Sequence, residues 1–325
     1  MRRSIAAVLA AAALTAIVAA QPARPVVRSQ LVWVDRAGRK LSTVGDLADF
    51  GNLELSPDGR RVAAAVLNDA TGASDLWLYD LADGRRVRLD GNVADENWLI
   101  WSPDGQTVAF NSQRTRSLDL YRTSTKAGGR EEVLLSDDDA KWPVSWSPDG
   151  RFILYVTSSP RTRSSPGAPN AIWVLPLTGD RKPYPFVKSA AQENWAAFSP
   201  NGRWVAYSST EDGEADVYVT PFPKSGRKWL VSRYGGFQAR WRRDGKELFF
   251  LSTNGTLTAS LMAAAVNGDS DDFEVSGVRP LFETHIPHPP FHAFDVSADG
   301  QRFLVNSLLL GPSGPSRVAG LSSIH

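Results

Sequence analysis

The stretch WSPDGRFILYV, residues 146–156, decides the fold, because versions of it recur along the chain. Clear copies begin at Leu55, Trp101 and Phe198, and two weaker ones begin at Trp241 and Val296. The Asp or Asn of this motif stands at positions 58, 104, 149, 201, 244 and 299, which gives spacings of 46, 45, 52, 43 and 55 residues. Six units of this length predict a repeat protein whose units pack side by side.

The tetrapeptide Ser-Pro-Asp-Gly is typical of a tight turn. Proline supplies the φ near −65° of the second turn position, aspartate suits the third, and glycine accepts the positive φ that follows. Residues rich in β-formers flank the motif on both sides, so it predicts a reversal between two strands. The recurring acids Asp58, Asp104 and Asp149 are therefore interpreted as turn-forming and not as catalytic.

A second motif supplies two more strands per unit. Residues 75–80 (DLWLYD) predict a third strand, a Gly-containing turn follows, and residues 87–89 predict a fourth. Four short antiparallel strands in 40 to 50 residues make one blade of a β-propeller. Residues 31–44 supply a third and fourth strand without a first pair, whereas residues 294–306 supply a first pair alone. The sequence predicts an all-β, six-bladed propeller over residues 31–307, closed by N-terminal strands that complete the last C-terminal blade.

Composition excludes several classes of protein. The chain has 325 residues, of which 42% are hydrophobic and 22% charged, as in ordinary globular proteins. It contains no cysteine, which excludes disulfides, thiolate nucleophiles and Cys-ligated metal sites. A net charge of +1 gives no electrostatic reason to bind nucleic acid.

Residues 1–20 form a separate segment. Arg2 and Arg3 precede an uncharged apolar run that ends in small residues at Ala20, which predicts a cleaved signal peptide. An uncleaved N-terminal membrane anchor is the alternative. Residues 21–30 are interpreted as a linker and 308–325 as a C-terminal tail. Removal of the leader leaves 34 − 35 = −1 charge. We expect a periplasmic or secreted monomer that does not insert into a membrane after cleavage and binds no nucleic acid.

The repeats also carry a family resemblance. The strings LVWVDRAGRKLSTVG (31–45), FSPNGRWVAYSS (198–209) and RPLFET (279–284), with the turn motifs, resemble TolB-like, WD-repeat-like propellers. They most resemble the extracytoplasmic propeller at the C-terminus of some bacterial serine/threonine kinases. Kinase motifs are missing from this sequence, so the resemblance does not imply phosphoryl transfer. It implies a scaffold that binds a protein, a peptide or an envelope component.

One mouth of the propeller channel is the predicted binding site. The first strand of each blade lines the channel, so residues four to six positions before the turn serine gather at that mouth. Aromatic rings mixed with amides and single charges suit a peptide or glycan. The alternative is that the rings only fill the channel. The predicted residues are Glu96, Asn97, Trp98, Lys141, Trp142, Glu193, Asn194, Trp195, Phe237, Gln238 and His292.

Loops between second and third strands open at the same end and predict a charged rim. Blades 2 and 3 contribute the basic residues Arg114, Arg116, Arg161 and Arg163, whereas blade 4 contributes Glu211, Asp212 and Glu214. Such a dipolar rim would orient an approaching partner. Solvated arginines without a binding role are the alternative.

The sequence offers weak candidates for metal binding. His285, His288 and His292 have a ligand-like spacing, but the prolines between them favour an extended connector that separates the rings. The run Asp137 to Asp139 is interpreted as a solvated turn. We therefore expect no metal and no cofactor.

No hydrolase, kinase or nucleotide-binding motif is found, so we predict a non-catalytic binding protein that acts as a scaffold or sensor. The alternative is a hydrolase or lyase that acts on a glycan or lactone in the channel, with Glu96 and Glu193 as its acids. A third hypothesis is that the chain senses a ligand for a kinase on another polypeptide.

Overall fold

A computed structural model of the chain describes residues 28–89, 94–126, 129–158, 169–223, 226–232, 235–253, 258–287 and 291–309. These residues form 24 β-strands and no helix, arranged in six four-stranded antiparallel sheets. The all-β, six-bladed propeller predicted from the repeats is confirmed. The leader at 1–20 and the tail from 310 onward lie outside the described residues.

Each blade runs outward from an innermost strand. Blades 1 and 2 are β3 (Phe50–Leu55), β4 (Arg61–Leu67), β5 (Ser74–Asp80) and β6 (Arg86–Arg88), then β7 (Glu96–Trp101), β8 (Thr107–Ser112), β9 (Asp119–Ser124) and β10 (Glu132–Leu135). Blades 3 and 4 are β11 (Ala140–Trp146), β12 (Phe152–Ser158), β13 (Ala171–Pro176) and β14 (Tyr184–Val187), then β15 (Glu193–Phe198), β16 (Trp204–Ser209), β17 (Asp216–Pro221) and β18 (Trp229–Leu230). Blades 5 and 6 are β19 (Phe237–Trp241), β20 (Glu247–Thr253), β21 (Thr258–Asn267) and β22 (Glu274–His285), then β23 (Phe294–Val296), β24 (Arg302–Leu308), β1 (Ser29–Asp35) and β2 (Lys40–Ala48).

Blade 6 is built from both ends of the described chain. Strand β1 pairs with β24 in unbroken antiparallel register, from Ser29 opposite Leu308 to Asp35 opposite Arg302. Leu31 of β1 and Leu304 of β24 are both fully buried. The predicted closure is therefore confirmed, and it gives the first and last blades a shared interface in place of open edges.

The Ser-Pro-Asp-Gly turns are held by their own side chains. Ser56 Oγ donates to Asp58 Oδ1 at 2.6 Å, and the same carboxylate oxygen accepts the Arg60 N–H at 3.0 Å. Gly59 has φ +70°. The hydroxyl of Ser56 is the main cause that lowers the pKa of Asp58. The same serine contact recurs at Asp104, Asp149, Asn201 and Asp299. The prediction that these acids form the turns is confirmed, because their oxygens accept hydrogen bonds within the turn.

Among the described residues, no helix is long and apolar enough to span a membrane.

Candidate functional site

Aromatic rings crowd the end of the channel where the innermost strands begin, which we call the loop-side mouth. The Trp98 ring centroid lies 5.5 Å from that of His292 and 6.4 Å from that of Phe291. The Trp195 and Phe237 rings are 5.4 Å apart. Trp98 is only 7% exposed, whereas Trp142 and Trp195 are half-buried. The rings therefore fill much of this mouth and still leave two indoles in contact with solvent.

Three mouth residues have a positive φ, a backbone conformation that is unfavourable for residues other than glycine. Trp98, Trp195 and Gln238 have φ values of +40°, +48° and +56°. Each lies at a break in the strand register: between Asn97 and Ile100, between Asn194 and Ala197, and between Phe237 and Arg240. A left-handed conformation costs a non-glycine residue about 1–2 kcal/mol. Sequence reasoning missed this feature, because no glycine marks the bulges.

The charge of Glu96 is neutralised inside its own blade. Glu96 is fully buried, and its carboxylate pairs with Arg114 from the β8–β9 loop. The Arg114 guanidinium also pairs with Glu131 and lies 4.5 Å from the centre of the Tyr121 ring. Its side chain is 17% exposed. The structure thus brings Glu96 and Arg114 together and makes Arg114 an internal partner of blade 2.

Lys141, another predicted mouth residue, is buried within an acidic turn. Its ammonium donates to the Asp139 carbonyl at 2.6 Å and pairs with Asp137 at 2.5 Å and with Asp119 at 3.5 Å. The side chain is 1% exposed. The turn at 137–139 therefore closes around a cation that belongs to the protein itself.

The remaining polar residues of the mouth also have partners within the protein, and Gln238 bonds to the backbone of Phe291 and Ala293. Glu193 is buried and accepts a hydrogen bond from Ser189 Oγ at 2.6 Å, and burial raises the pKa of Glu193. Asn194 Oδ1 accepts from Asn170 Nδ2 at 3.0 Å, and Asn97 Nδ2 donates to Asp95 at 3.1 Å. Both asparagines are half-buried, as are Trp142 and Trp195.

Only part of the predicted rim lies within the residues that the structure describes. Arg116 is exposed in the β8–β9 loop, whereas Arg161 and Arg163 lie outside the described residues. On blade 4, Glu211 pairs with Lys228, and Asp212 accepts a hydrogen bond from the Tyr218 hydroxyl at 2.6 Å. Part of the acidic charge of blade 4 is therefore satisfied by its own outer strands.

His292 lies beneath the rings and is buried. Its Nδ1 accepts a hydrogen bond from Arg240 Nη2 at 2.6 Å. Burial and the charge of Arg240 hold the pKa of His292 well below its usual value, so the ring is neutral. His285 is exposed at the end of β22, and His288 lies outside the described residues. The described His, Asp and Glu side chains form no group suited to a metal ion.

A ring of channel-facing residues continues below His292. Buried Arg240 is 3.8 Å from a carboxylate oxygen of Glu54 and 3.8 Å from one of Asp295. These three residues share one position in the repeat, two residues before the turn, in blades 5, 1 and 6. The corresponding residues of blades 2, 3 and 4 are Ile100, Ser145 and Ala197. The ring is therefore charged on one side and uncharged on the other.

The ring residues also join neighbouring blades. Glu54 accepts the Trp101 N–H at 2.7 Å, and Asp295 accepts the Leu55 N–H at 2.8 Å. Burial raises the pKa of Glu54 to about 8. The sequence does contain a signal for this cluster, namely charged residues two positions before the first residue of the turn motif in blades 1, 5 and 6. Sequence reasoning missed it, because the predicted mouth was drawn only from positions four to six residues before the turn.

Comparison with known proteins agrees with the architecture. Residues 50–165 match the family model described as the TolB beta propeller domain. The fold is that of the TolB-like β-propellers. This TolB-like propeller is 17% identical to the structure of a putative TolB from Agrobacterium tumefaciens, with a TM-score of 0.67 over 87% of this chain and 99% of that one. An oligogalacturonate lyase solved in complex with manganese gives a TM-score of 0.56 at 14% identity, over 85% of this chain and 77% of the lyase. Both likenesses concern the fold alone.

Two curated proteins share sequence with the TolB-like propeller. An uncharacterized peptidase, YuxL of Bacillus subtilis (strain 168), is 26% identical over 226 residues, which cover 56% of this chain and 34% of the peptidase. The Tol-Pal system protein TolB of Anaeromyxobacter dehalogenans (strain 2CP-C) is 29% identical over 199 residues, which cover 55% of this chain and 43% of that protein. The chain spans less than half the length of these two relatives. The narrower resemblance to kinase-associated propellers stays a prediction.

Proposed function

We propose that this TolB-like propeller is a non-catalytic binding protein of the cell envelope that holds a peptide or protein segment at the loop-side mouth. The positive φ of Trp98 and Trp195 carries the proposal. Strained backbone persists only where the surrounding structure imposes it, and it clusters at functional sites. In this protein the strain sets the position of two large rings at the mouth.

The chemistry of the mouth favours a polypeptide ligand. Trp142 and Trp195 offer apolar surface, and the half-buried side chains of Asn97 and Asn194 supply amide N–H donors for the carbonyl groups of a peptide. The charged residues Glu96 and Lys141 have internal partners. Recognition by rings and amides therefore needs no ion pair with the ligand.

Two observations support an envelope location. The leader-like residues 1–20 predict export. A sequence relative is named as a Tol-Pal system protein. A partner in the same compartment would be a protein or peptide of the cell envelope.

Site-specific photo-crosslinking in cells tests the proposal. A crosslinking amino acid at Asn97 or Asn194 should yield one defined adduct, identified by mass spectrometry. The adduct should disappear when Trp142 and Trp195 are both changed to Ala. Val87, on the outer strand β6 and 56% exposed, is the matched control position and should yield none. Equal adducts from Val87 and from the mouth would contradict the proposal.

An enzyme acting on a glycan or lactone is the second candidate. Its supporting observation is the buried Glu193, whose raised pKa suits a general acid. Glu96, the other candidate acid, already pairs with Arg114, and this pairing favours the binding function. Turnover of a glycan or lactone that is lost in Glu193→Gln and retained in Trp142→Ala would establish the enzyme.

A further inference from the structure

The end of the propeller opposite the loop-side mouth is a ring of turns, and at five of its six junctions the turn glycine lies against a side chain of the preceding turn. A Cβ added to Gly105 would lie 3.8 Å from the Pro57 ring of the preceding blade. Equivalent proline contacts of 3.7–4.0 Å meet the turn glycines of blades 3, 4 and 5. In four successive junctions, therefore, a proline ring covers the glycine of the next turn.

The ring is interrupted between blade 6 and blade 1. Blades 5 and 6 carry Arg243 and Ala298 at the position of the turn proline. The Arg242 side chain covers Gly300 at the junction of blades 5 and 6. At the junction of blades 6 and 1, Ala298 lacks the ring that a proline would place over the glycine. A Cβ added to Gly59 would meet nothing within 4 Å. We call this open junction the seam.

A cavity of about 450 Å³ opens at the seam. Gly59, Ala298 and the half-buried Trp241 are among its lining residues, and Asp295 connects it to the buried ring of the channel. The cavity thus lies at the turn-side end of the channel and is separate from the loop-side mouth.

Two guanidinium groups border the seam cavity and keep donors available. Arg243 donates to the Pro57 carbonyl at 3.1 Å, and Arg302 lies 5.1 Å from the centre of the Trp33 ring. Neither arginine forms an ion pair within the part of the chain that the structure describes. Each can donate to a carbonyl group, as Arg61 does to the carbonyl of Gly105 at 3.3 Å.

We propose that the seam is a second binding site and that it takes a proline-containing extended peptide from a partner protein. A ligand proline would pack on Gly59 in the place that a turn proline occupies at four of the other junctions. Extended proline-rich segments present unpaired carbonyls and apolar ring faces, and grooves that combine aromatic rings with donors bind them. Trp241 supplies the ring, and Arg243 and Arg302 supply the donors. The proposal goes beyond the function of the loop-side mouth and does not depend on it.

A proline substitution at the seam tests this site directly. The purified protein is titrated with acetyl-hexaproline amide while the indole N–H signals of its tryptophans and the amide signal of Gly59 are followed by NMR. We expect the signals of Gly59 and Trp241 to shift, and Ala298→Pro to weaken hexaproline binding by about tenfold or more. Four repeats already carry proline at this position, so the variant should fold with an unchanged or higher melting temperature.

Pro103→Ala is the matched control, because it alters the junction of blades 2 and 3 and leaves the seam intact. It should bind hexaproline as the unaltered protein does. A length-matched Gly-Ser peptide should shift neither signal. The proposal is overturned by absent shifts at millimolar hexaproline, by equal shifts with the Gly-Ser peptide, or by unchanged binding in a folded Ala298→Pro variant. None of these results would alter crosslinking at Asn97, so failure at the seam is distinct from failure of the proposed function.

Discussion

Arg240 Nη2 donates a hydrogen bond to His292 Nδ1 at 2.6 Å, which links the aromatic mouth to the charged ring below it. The bond requires a neutral imidazole, because a protonated ring has no acceptor. On its other side, Arg240 faces Glu54 and Asp295. The channel of this protein is therefore a polar, interconnected interior whose protonation is coupled to folding.

Glu54 contributes stability that is lost as pH rises from about 4.5 to about 8, and above about 6.5 His292 does not oppose this loss. Burial raises the pKa of Glu54 from 4.5 to about 8, so within this range the folded state binds a proton that the unfolded state has released. The free energy of unfolding, measured with urea, should therefore decrease between about pH 6.5 and pH 8. Glu54→Gln should flatten the dependence, and an unchanged slope in that variant would contradict the assignment.

His292 acts in the opposite direction at lower pH. Burial and the charge of Arg240 lower the pKa of His292. Below about pH 6.5 this histidine is therefore protonated in the unfolded state and remains neutral in the folded state. The stability contributed by neutral His292 should therefore be lost as pH falls below 6.5. His292→Gln should remove this loss, as measured by urea unfolding at pH 5 and pH 6.5.

At a strained residue of the mouth, a glycine substitution should destabilise the protein less than an alanine substitution, which is the reverse of the usual order. At Trp195, with φ +48°, Gly should be less destabilising than Ala by about 1 kcal/mol, because glycine accepts a positive φ. Trp142 is the matched control, since its backbone is not among those with positive φ. There Gly should be the more destabilising substitution by about 0.5–1 kcal/mol. Urea unfolding of the four variants measures both differences, and the same order at both sites would contradict the strain.

Reversing the charge of Arg114 should damage the fold. Arg114→Glu would place a third carboxylate beside Glu96 and Glu131, and removing one partner of a buried pair costs about 3–5 kcal/mol. Arg116→Glu, at an exposed position of the same loop, should change stability by less than about 0.5 kcal/mol. Thermal unfolding distinguishes the two variants. Equal melting temperatures would show that the Arg114 pairs contribute nothing.

Capture at the loop-side mouth should depend little on salt. Glu96 and Lys141 have internal partners, so few charges of the mouth are left for a ligand. When the crosslinking is repeated in cell-envelope extract, the yields at Asn194 should agree within about twofold between 50 mM and 500 mM salt. A steep loss at high salt would instead favour the dipolar rim predicted from the loop charges.

The sequence predicted most of the architecture because the repeat encodes it locally. The turn contacts of Asp58 and the pairing of β1 with β24 follow from motif spacing and strand counting. The sequence could not show that the charged residues of the mouth are paired within the protein. The partners of Lys141, for example, depend on how the loop that contains Asp137 folds back. The positive φ of Trp98 could not be predicted either, because tryptophan does not favour this conformation and no glycine marks the register break.

The pairing of β1 with β24 also determines the order in which the protein can assemble. Residues that are 279 positions apart, such as Ser29 and Leu308, must meet to complete blade 6. Contacts this distant in sequence form late, because the chain between them must first lose its freedom. The five other blades can form earlier, each from one continuous segment. We therefore expect closure of blade 6 to be the final and slowest step, and its opening to be the event that limits resistance to proteolysis.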